Sequence, residues 1–441
     1  MKTLTIQALT QQQWRDIAIL QLLTPEKGTA SPSRLGYEFE YSVEWLDLND
    51  EHACSLMLPV QIMIEHEADH WFGFLEDIVP AGAARRYLID LWGLQALSSG
   101  EQDTALLEKG TIAPIGNLRI KESLPTLPAD STLHLRKFTL NDVVERDSSF
   151  LEYAQEMGAI SGGATGAGGE APKLLVRCSA QEEIWIDTFQ EQHDIADAHY
   201  LVKFPRGRKT QDDCDILRAE YHFYHELTDM EFNTISTGNM KLLEGSRYPS
   251  LWLPRFDTHW NECNWERYGL ESIFSVLNKP AGSYLNHFEV IRSVCNLLQK
   301  QSTEFDTEAF VCEWLSRDLL NIAFGNSDNH GRNTALLKKP SDIGLSPIYD
   351  FAPMKVDPEG ITRTTKWGSP FEEGGEYRWQ AITEELNDLC PCDTSFSALK
   401  QTASKLIGLQ QRLEARGVPE HILEVIQVKW LETKLARWDL L

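Results

Sequence analysis

Three residues in the last third of the chain are suited to phosphoryl-transfer chemistry. Asp328 and Asn333 stand five residues apart in the run Gly325–Asn333, and Asp350 follows seventeen residues after Asn333, just ahead of Phe351. A carboxylate so placed can accept the proton of an attacking hydroxyl. An amide oxygen and a second carboxylate can hold Mg²⁺ on phosphates, because Mg²⁺ prefers hard oxygen ligands. A run of Asn, Asp and Gly is also the ordinary composition of a loop closing a helix. The rest of the chain must decide between the two.

The Asp328-to-Asn333 spacing is that of the protein-kinase segment H-R-D-x-x-x-x-N, and Asp350-Phe351 stands where a kinase places its second metal-binding Asp. Upstream, Lys203 lies between Val202 and Phe204 on an apolar strand. Burying a lone ammonium is costly. It either reaches solvent along its stem or meets an anion, and beside the other motifs it is assigned to nucleotide phosphates. Glu220, in a helix predicted over Asp212–Asp229, is the candidate ion-pair partner by analogy with a kinase Lys–Glu pair. The stretch 161–173 is Gly-rich and ends in Lys173. Its backbone N–H groups, with Gly168 and Gly169 nearest the lysine, would cradle phosphates. It lacks the G-K-[ST] of a Walker A loop, and a flexible surface loop has the same composition. His330 is read as supporting its loop rather than as a ligand. Arg206-Gly207-Arg208-Lys209 is the densest basic run, read equally well as a solvated turn or as an anion attractor.

These segments need elements to hold them. Alternation over Tyr37–Trp45 predicts a half-buried strand, and apolar spacing predicts a helix over Ala83–Leu97. The Pro-rich stretch 124–130 marks a boundary, giving an amino-terminal unit over 1–135. A nucleotide-binding unit is expected over 136–258: a helix at Phe138–Leu151, strands at 173–178, 183–187, 199–204 and 250–256, and the Asp212–Asp229 helix. From 259 to 441 the pattern turns helical, with Glu289–Gln299, Thr307–Phe324, Ser395–Arg416 and Pro419–Trp438 as single helices. The fold class is α+β.

The set of motifs resembles HipA-family serine/threonine kinases, the toxins of bacterial toxin–antitoxin pairs. Besides Asn326–Asn333 and Leu345–Asp350, Phe72–Pro80 with Arg85 and Arg86 resembles the family's F-x-x-L-L-P…R segment. Gly169–Lys173 resembles its G-A-Q-P-K loop, Tyr200–Pro205 its I-I-K-x-P strand, and Arg255–Asp257 its E-R-F-D segment. The chain departs from the pattern at three places. Gly166 stands where the family loop has its Ser, Ala171 replaces the loop Gln, and Pro254 replaces the Glu before Arg255. The resemblance implies ATP and Mg²⁺ as cofactors, with Asp328 as catalytic residue and Asn333 and Asp350 as metal ligands. Lys173, Lys203 and the loop would take the phosphates, and Phe256 would lie in the adenine-contacting segment. It also implies a growth-inhibiting kinase acting on a translation-related protein and restrained by a small DNA-binding antitoxin of HipB type. Autophosphorylation of the loop would fall on Ser161 or Thr165.

Composition narrows the field. With 441 residues, 42% hydrophobic and 24% charged, the chain has ordinary globular composition. A formal net charge of −25 argues against nucleic-acid binding through a general basic surface. No run approaches a membrane span, and the start Met1–Gln7 has no signal-peptide character. Eight scattered cysteines read as reduced thiols, so a cytoplasmic location is expected. Two other functions remain open: a small-molecule phosphotransferase acting on an antibiotic or sugar, which shares the Asp-x-x-x-x-Asn logic, and a catalytically weak regulator that works by binding partners.

Overall fold

The computed structural model describes residues 1–124, 136–156, 173–186, 194–302, 304–340 and 342–441. Two compact units form. The first comprises Met1–Gly207, Asn239–Ala281 and Ala335–Ser346; the second comprises Arg208–Gly238, Gly282–Thr334 and Pro347–Leu441. Chain order and spatial grouping therefore differ: each unit collects three separated segments. The mixture of helix and sheet is α+β.

The first unit contains two large sheets. One has five strands in the order Glu65–Ala68, Ser33–Tyr37, Gln13–Leu22, Lys2–Thr10, Leu118–Ile120, all antiparallel. Its first hairpin turns through Gln11 and Gln12, both with positive φ, as a two-residue turn between right-twisted strands requires. Leu4, Ile6, Leu20 and Leu35 face inward and bury against Trp71, Phe74, Leu75, Leu106 and Leu107.

The other sheet has six strands in the order Lys241–Glu244, Pro249–Pro254, Ala198–Lys203, Lys173–Cys178, Glu183–Trp185, Phe138–Thr139. Val176, Val202, Ile184 and Trp252 form its core with Phe150 and Tyr153. A smaller sheet joins Gly269–Ser272, Ala335–Lys339 and Asp342–Leu345.

The second unit is mainly helical: Gln211–Asp229, His287–Gln301, Thr307–Ala323, Trp379–Glu385, Cys392–Lys405, Leu409–Arg416, Glu420–Ile426 and Leu431–Arg437. The first of these starts on a capping box in which Thr210 and Asp213 exchange side-chain and backbone hydrogen bonds, the arrangement that satisfies orphan N–H groups at a helix start. Among the described residues no helix is long and apolar enough to cross a membrane.

Several sequence expectations need correction. Tyr37–Trp45 is not a strand: pairing stops at Tyr37 and Phe39–Glu44 is a helix. Phe39 and Val43 stay exposed, so the alternation there did not report burial. The helix expected over Phe138–Leu151 is a strand end plus two short helices, Leu140–Val144 and Ser148–Glu156. The helix expected to Leu97 stops at Leu91. Ser395–Arg416 breaks at Gly408 and Pro419–Trp438 at Gln427, both left-handed. The region read as helical from 259 opens on the strand Thr258–Trp260 and also supplies strands at Trp265–Arg267, Gly269–Ser272, Ala335–Lys339 and Asp342–Leu345. These strands are too short to imprint a period that outweighs the helical one.

Candidate functional site

In the second unit, the helix Thr307–Ala323 delivers the chain into the loop 326–333, which is held by its own polar side chains. Asn326 is tied back to the helix: its N–H donates to the Asn321 carbonyl at 2.9 Å and its amide to Asn321 Oδ1 at 2.9 Å. Its own Oδ1 then accepts the Asp328 N–H at 3.2 Å. Asn333 Nδ2 donates to the Asp328 carbonyl at 2.7 Å, and its N–H to the His330 carbonyl at 2.9 Å. Asn329 Nδ2 pins the loop from below, donating to the Thr365 carbonyl at 3.1 Å. Asp328 and Asn333 are thereby fixed side by side.

His330 Nδ1 accepts the Arg332 N–H at 3.2 Å. In the neutral ring that leaves the proton on Nε2, which lies 3.5 Å from Asp328 Oδ1. The imidazole thus sits as a polar neighbour of the carboxylate.

The Asp350 segment is fastened to the same loop. The Tyr349 hydroxyl donates to the Arg332 carbonyl at 2.5 Å, and the Ile348 N–H donates to the Asn233 carbonyl at 2.9 Å. Asp350 has φ +51°, a left-handed conformation that a non-glycine residue keeps only where its surroundings hold it. Phe351 packs its ring against Phe324 (5.3 Å between centroids) and Phe223 (6.2 Å). Its N–H donates to the Tyr224 hydroxyl at 3.2 Å, and that hydroxyl donates to Glu220 Oε1 at 3.0 Å. Burial, then the charges of Glu220 and Asp350, push the Tyr224 phenol well above its ordinary pKa.

The residue set fits Mg²⁺. Asn333 spends its amide nitrogen on Asp328, while its Oδ1 is buried with no hydrogen-bond partner. An orphaned hard oxygen beside a carboxylate-bearing segment is the donor chemistry that Mg²⁺ takes.

Beneath the loop lies a buried ionic cluster that local sequence did not announce. Asp318, on the Thr307–Ala323 helix, accepts from Arg363 at 2.8 and 3.1 Å and from Trp367 Nε1 at 2.8 Å. His287 Nε2 lies 3.4 Å from the same carboxylate and stacks on Trp367 at 4.4 Å. Burial would raise the Asp318 pKa; Arg363 and His287 together hold it far below the carboxylate range. The pairing spans 45 residues, so no window of sequence contains it. Tyr224, by contrast, was findable: it stands four residues after Glu220, one helical turn away.

The first unit carries the remaining candidates. Lys173 and Lys203 lie directly opposite each other on adjacent antiparallel strands, so their side chains share one sheet face. Both are buried. Two like charges at that separation favour an anion between or above them. Phe256 is half-buried between Arg255 and Asp257. Asp257 plays a structural part: Arg255 Nε donates to it at 2.9 Å, Arg255 Nη2 at 2.5 Å, Arg267 at 3.3 Å and the Gly116 N–H at 2.8 Å. Burial would raise its pKa, but the two guanidiniums hold it down at about 2. Gly168, Gly169, Ser161 and Thr165 lie outside the described residues. Lys203 belongs to the first unit and Glu220 to the second.

A family model described as the HipA-like C-terminal domain matches residues 165–416. No curated protein matches the chain. Among solved structures, HipA of Shewanella oneidensis MR-1, determined in a toxin–antitoxin complex with HipB and operator DNA, is similar with a TM-score of 0.63 and 15% identity. The match covers 99% of this chain and 97% of that one. The Helicobacter pylori proinflammatory kinase CtkA aligns with a TM-score of 0.40 and 13% identity, over 62% of this chain and 91% of that one.

Proposed function

Since this chain belongs to the HipA family, by the match over residues 165–416, we propose that it is an ATP- and Mg²⁺-dependent serine/threonine protein kinase that inhibits growth. The observation carrying this reading is the fastening of Asp328, Asn333 and the Asp350 segment into one hydrogen-bonded assembly, with the Asn333 amide oxygen left over as a ligand.

Asp328 would accept, or orient by hydrogen bonding, the proton of the substrate hydroxyl. His330 Nε2 lies 3.5 Å from its Oδ1. Asn333 Oδ1 and the Asp350 carboxylate would hold Mg²⁺, which supplies charge neutralisation for the phosphates when bound. Lys173 and Lys203 would bind phosphate oxygens, with Phe256 near the base. Ser161 and Thr165 are the proposed sites of autophosphorylation. The substrate is proposed to be a protein, a translation component by family analogy. Restraint by a HipB-like antitoxin follows the assembly of the Shewanella complex. The cytoplasm is the proposed location.

The test is γ-phosphate transfer from labelled ATP to protein acceptors, wild type against Asp328→Ala, with phosphoproteomes of cells expressing each. Transfer that needs Asp328 and Mg²⁺ is expected. Labelling equal in the two proteins, or confined to aminoglycoside or sugar acceptors, would refute the protein-kinase reading.

A further inference from the structure

Resting on the reading of Asp350 as a metal ligand, the geometry points to Tyr224 as a positioning residue whose hydroxyl fixes the Asp350–Phe351 backbone to the helix carrying Glu220. The side chain is fully buried. Its one proton goes to Glu220 Oε1 at 3.0 Å, and its oxygen accepts the Phe351 N–H at 3.2 Å. The direction is set by chemistry: the Phe351 N–H can only donate, so the phenol oxygen accepts it and the phenol proton is left for the Glu220 oxygen, and only a group that both donates and accepts can make this link. A phenylalanine could not; a tyrosine can.

Asp350 needs such a clamp. Its φ of +51° costs an L-residue energy that neighbouring structure must offset. The preceding side is held by Tyr349 on Arg332 and by Ile348 on Asn233. On the following side the Phe351 ring packs on Phe223 and Phe324. Its N–H, in the peptide that directly follows Asp350, is bonded to Tyr224.

The helix that presents Tyr224 is itself a fixed reference. Glu226, fully buried two residues on, accepts from Arg412 Nε at 2.6 Å and Arg416 Nε at 2.9 Å. The carboxy-terminal helices thus hold the Glu220 helix, the helix holds the Tyr224 hydroxyl, and the hydroxyl holds the peptide that aims the Asp350 carboxylate. Tyr224 touches no reactant in this scheme. Losing its oxygen would leave the fold and loosen the aim.

Tyr224→Phe removes that oxygen and keeps the ring. In metal-free protein, hydrogen–deuterium exchange at the Phe351 amide is expected to accelerate about tenfold or more, the size associated with one buried hydrogen bond, with exchange of 225–229 unchanged. Mn²⁺ affinity in the presence of ATP, read by Mn²⁺ electron paramagnetic resonance, is expected to fall about tenfold. Glu220→Gln keeps an acceptor for the phenol and is expected to leave Phe351 exchange at the wild-type rate. Wild-type exchange and Mn²⁺ affinity in Tyr224→Phe would overturn the proposal. So would a rise in Glu220→Gln equal to that in Tyr224→Phe, since charge rather than the hydroxyl link would then hold the segment. A wild-type protein that binds no Mn²⁺ with ATP would overturn the metal reading instead, and the exchange result would still decide the clamp. Should Tyr224→Phe not fold, Glu220→Ala supplies the same exchange test, with faster Phe351 exchange expected and wild-type exchange contrary.

Discussion

Asp328 and Asp350 are both carboxylates, yet their proposed roles separate under titration. A metal ligand is needed for the phosphates to bind at all, whereas a base acts mainly during transfer. In calorimetric titration with ATP and Mg²⁺, Asp350→Ala is expected to lose binding by tenfold or more, with Asp328→Ala within about threefold of wild type. Wild-type affinity in both variants would remove the metal assignment. Asp257 illustrates a carboxylate used for structure instead. Its folded pKa of about 2 lies below the ordinary 3.8. A depressed acid stabilises the fold fully above its unfolded pKa and loses that contribution as pH falls through the folded one. The contribution is about 2 kcal/mol at neutral pH, of which roughly 1 kcal/mol is gone by pH 3. Urea unfolding of wild type and Asp257→Asn at pH 6 and pH 3 would read it: the stability gap between them is expected to narrow on acidification.

At the scale of elements, the segment 363–367 is anchored through charge. Arg363 and His287 offset the buried Asp318 carboxylate, and Trp367 donates to it. Removing one partner of a buried pair leaves the other uncompensated, at a cost of about 3–5 kcal/mol. Arg363→Ala is therefore expected to destabilise the second unit by that order in denaturant unfolding. Asp318→Asn added to it is expected to recover part of the loss, because the stranded charge is gone. Two additive penalties would contradict this account. The Glu220 helix depends on its start as well. Thr210→Ala breaks the capping box with Asp213 and is expected to cost about 1 kcal/mol. An unchanged midpoint would show that packing alone holds that end.

For the whole molecule, the two units divide the proposed work: phosphate-binding lysines on a sheet, and the Asp328, Asn333 and Asp350 residues on a helical frame. If growth inhibition is phosphoryl transfer, cells expressing Asp328→Ala are expected to grow like uninduced controls, while wild type arrests them. Arrest by both would favour a partner-binding mode of action. Incubation with ATP and Mg²⁺ followed by peptide mapping is expected to find phosphate on Ser161 or Thr165. An active enzyme unmodified at both would leave regulation to a partner.

The sequence by itself determined which residues to propose for chemistry. Asp328, Asn333 and Asp350 stood out because phosphoryl transfer needs those atom types at fixed local spacing, and local spacing is what a sequence displays. It also determined the long elements: Lys173–Cys178 and Gln211–Asp229 came within a residue or so of their limits because burial there has a strong period. Short elements were lost. Phe39–Glu44 mimicked a strand, and the left-handed residues Gly408 and Gln427 split two helices without disturbing their apolar spacing. Only the tertiary structure decided which elements share a unit and which distant groups meet. The sheet joining 269–272 to 335–345, the Asp318–Arg363 pair and the bond from the Phe351 N–H to Tyr224 bring together residues 45 or more positions apart. Such contacts arise from packing in space, where separation along the chain carries no information about distance.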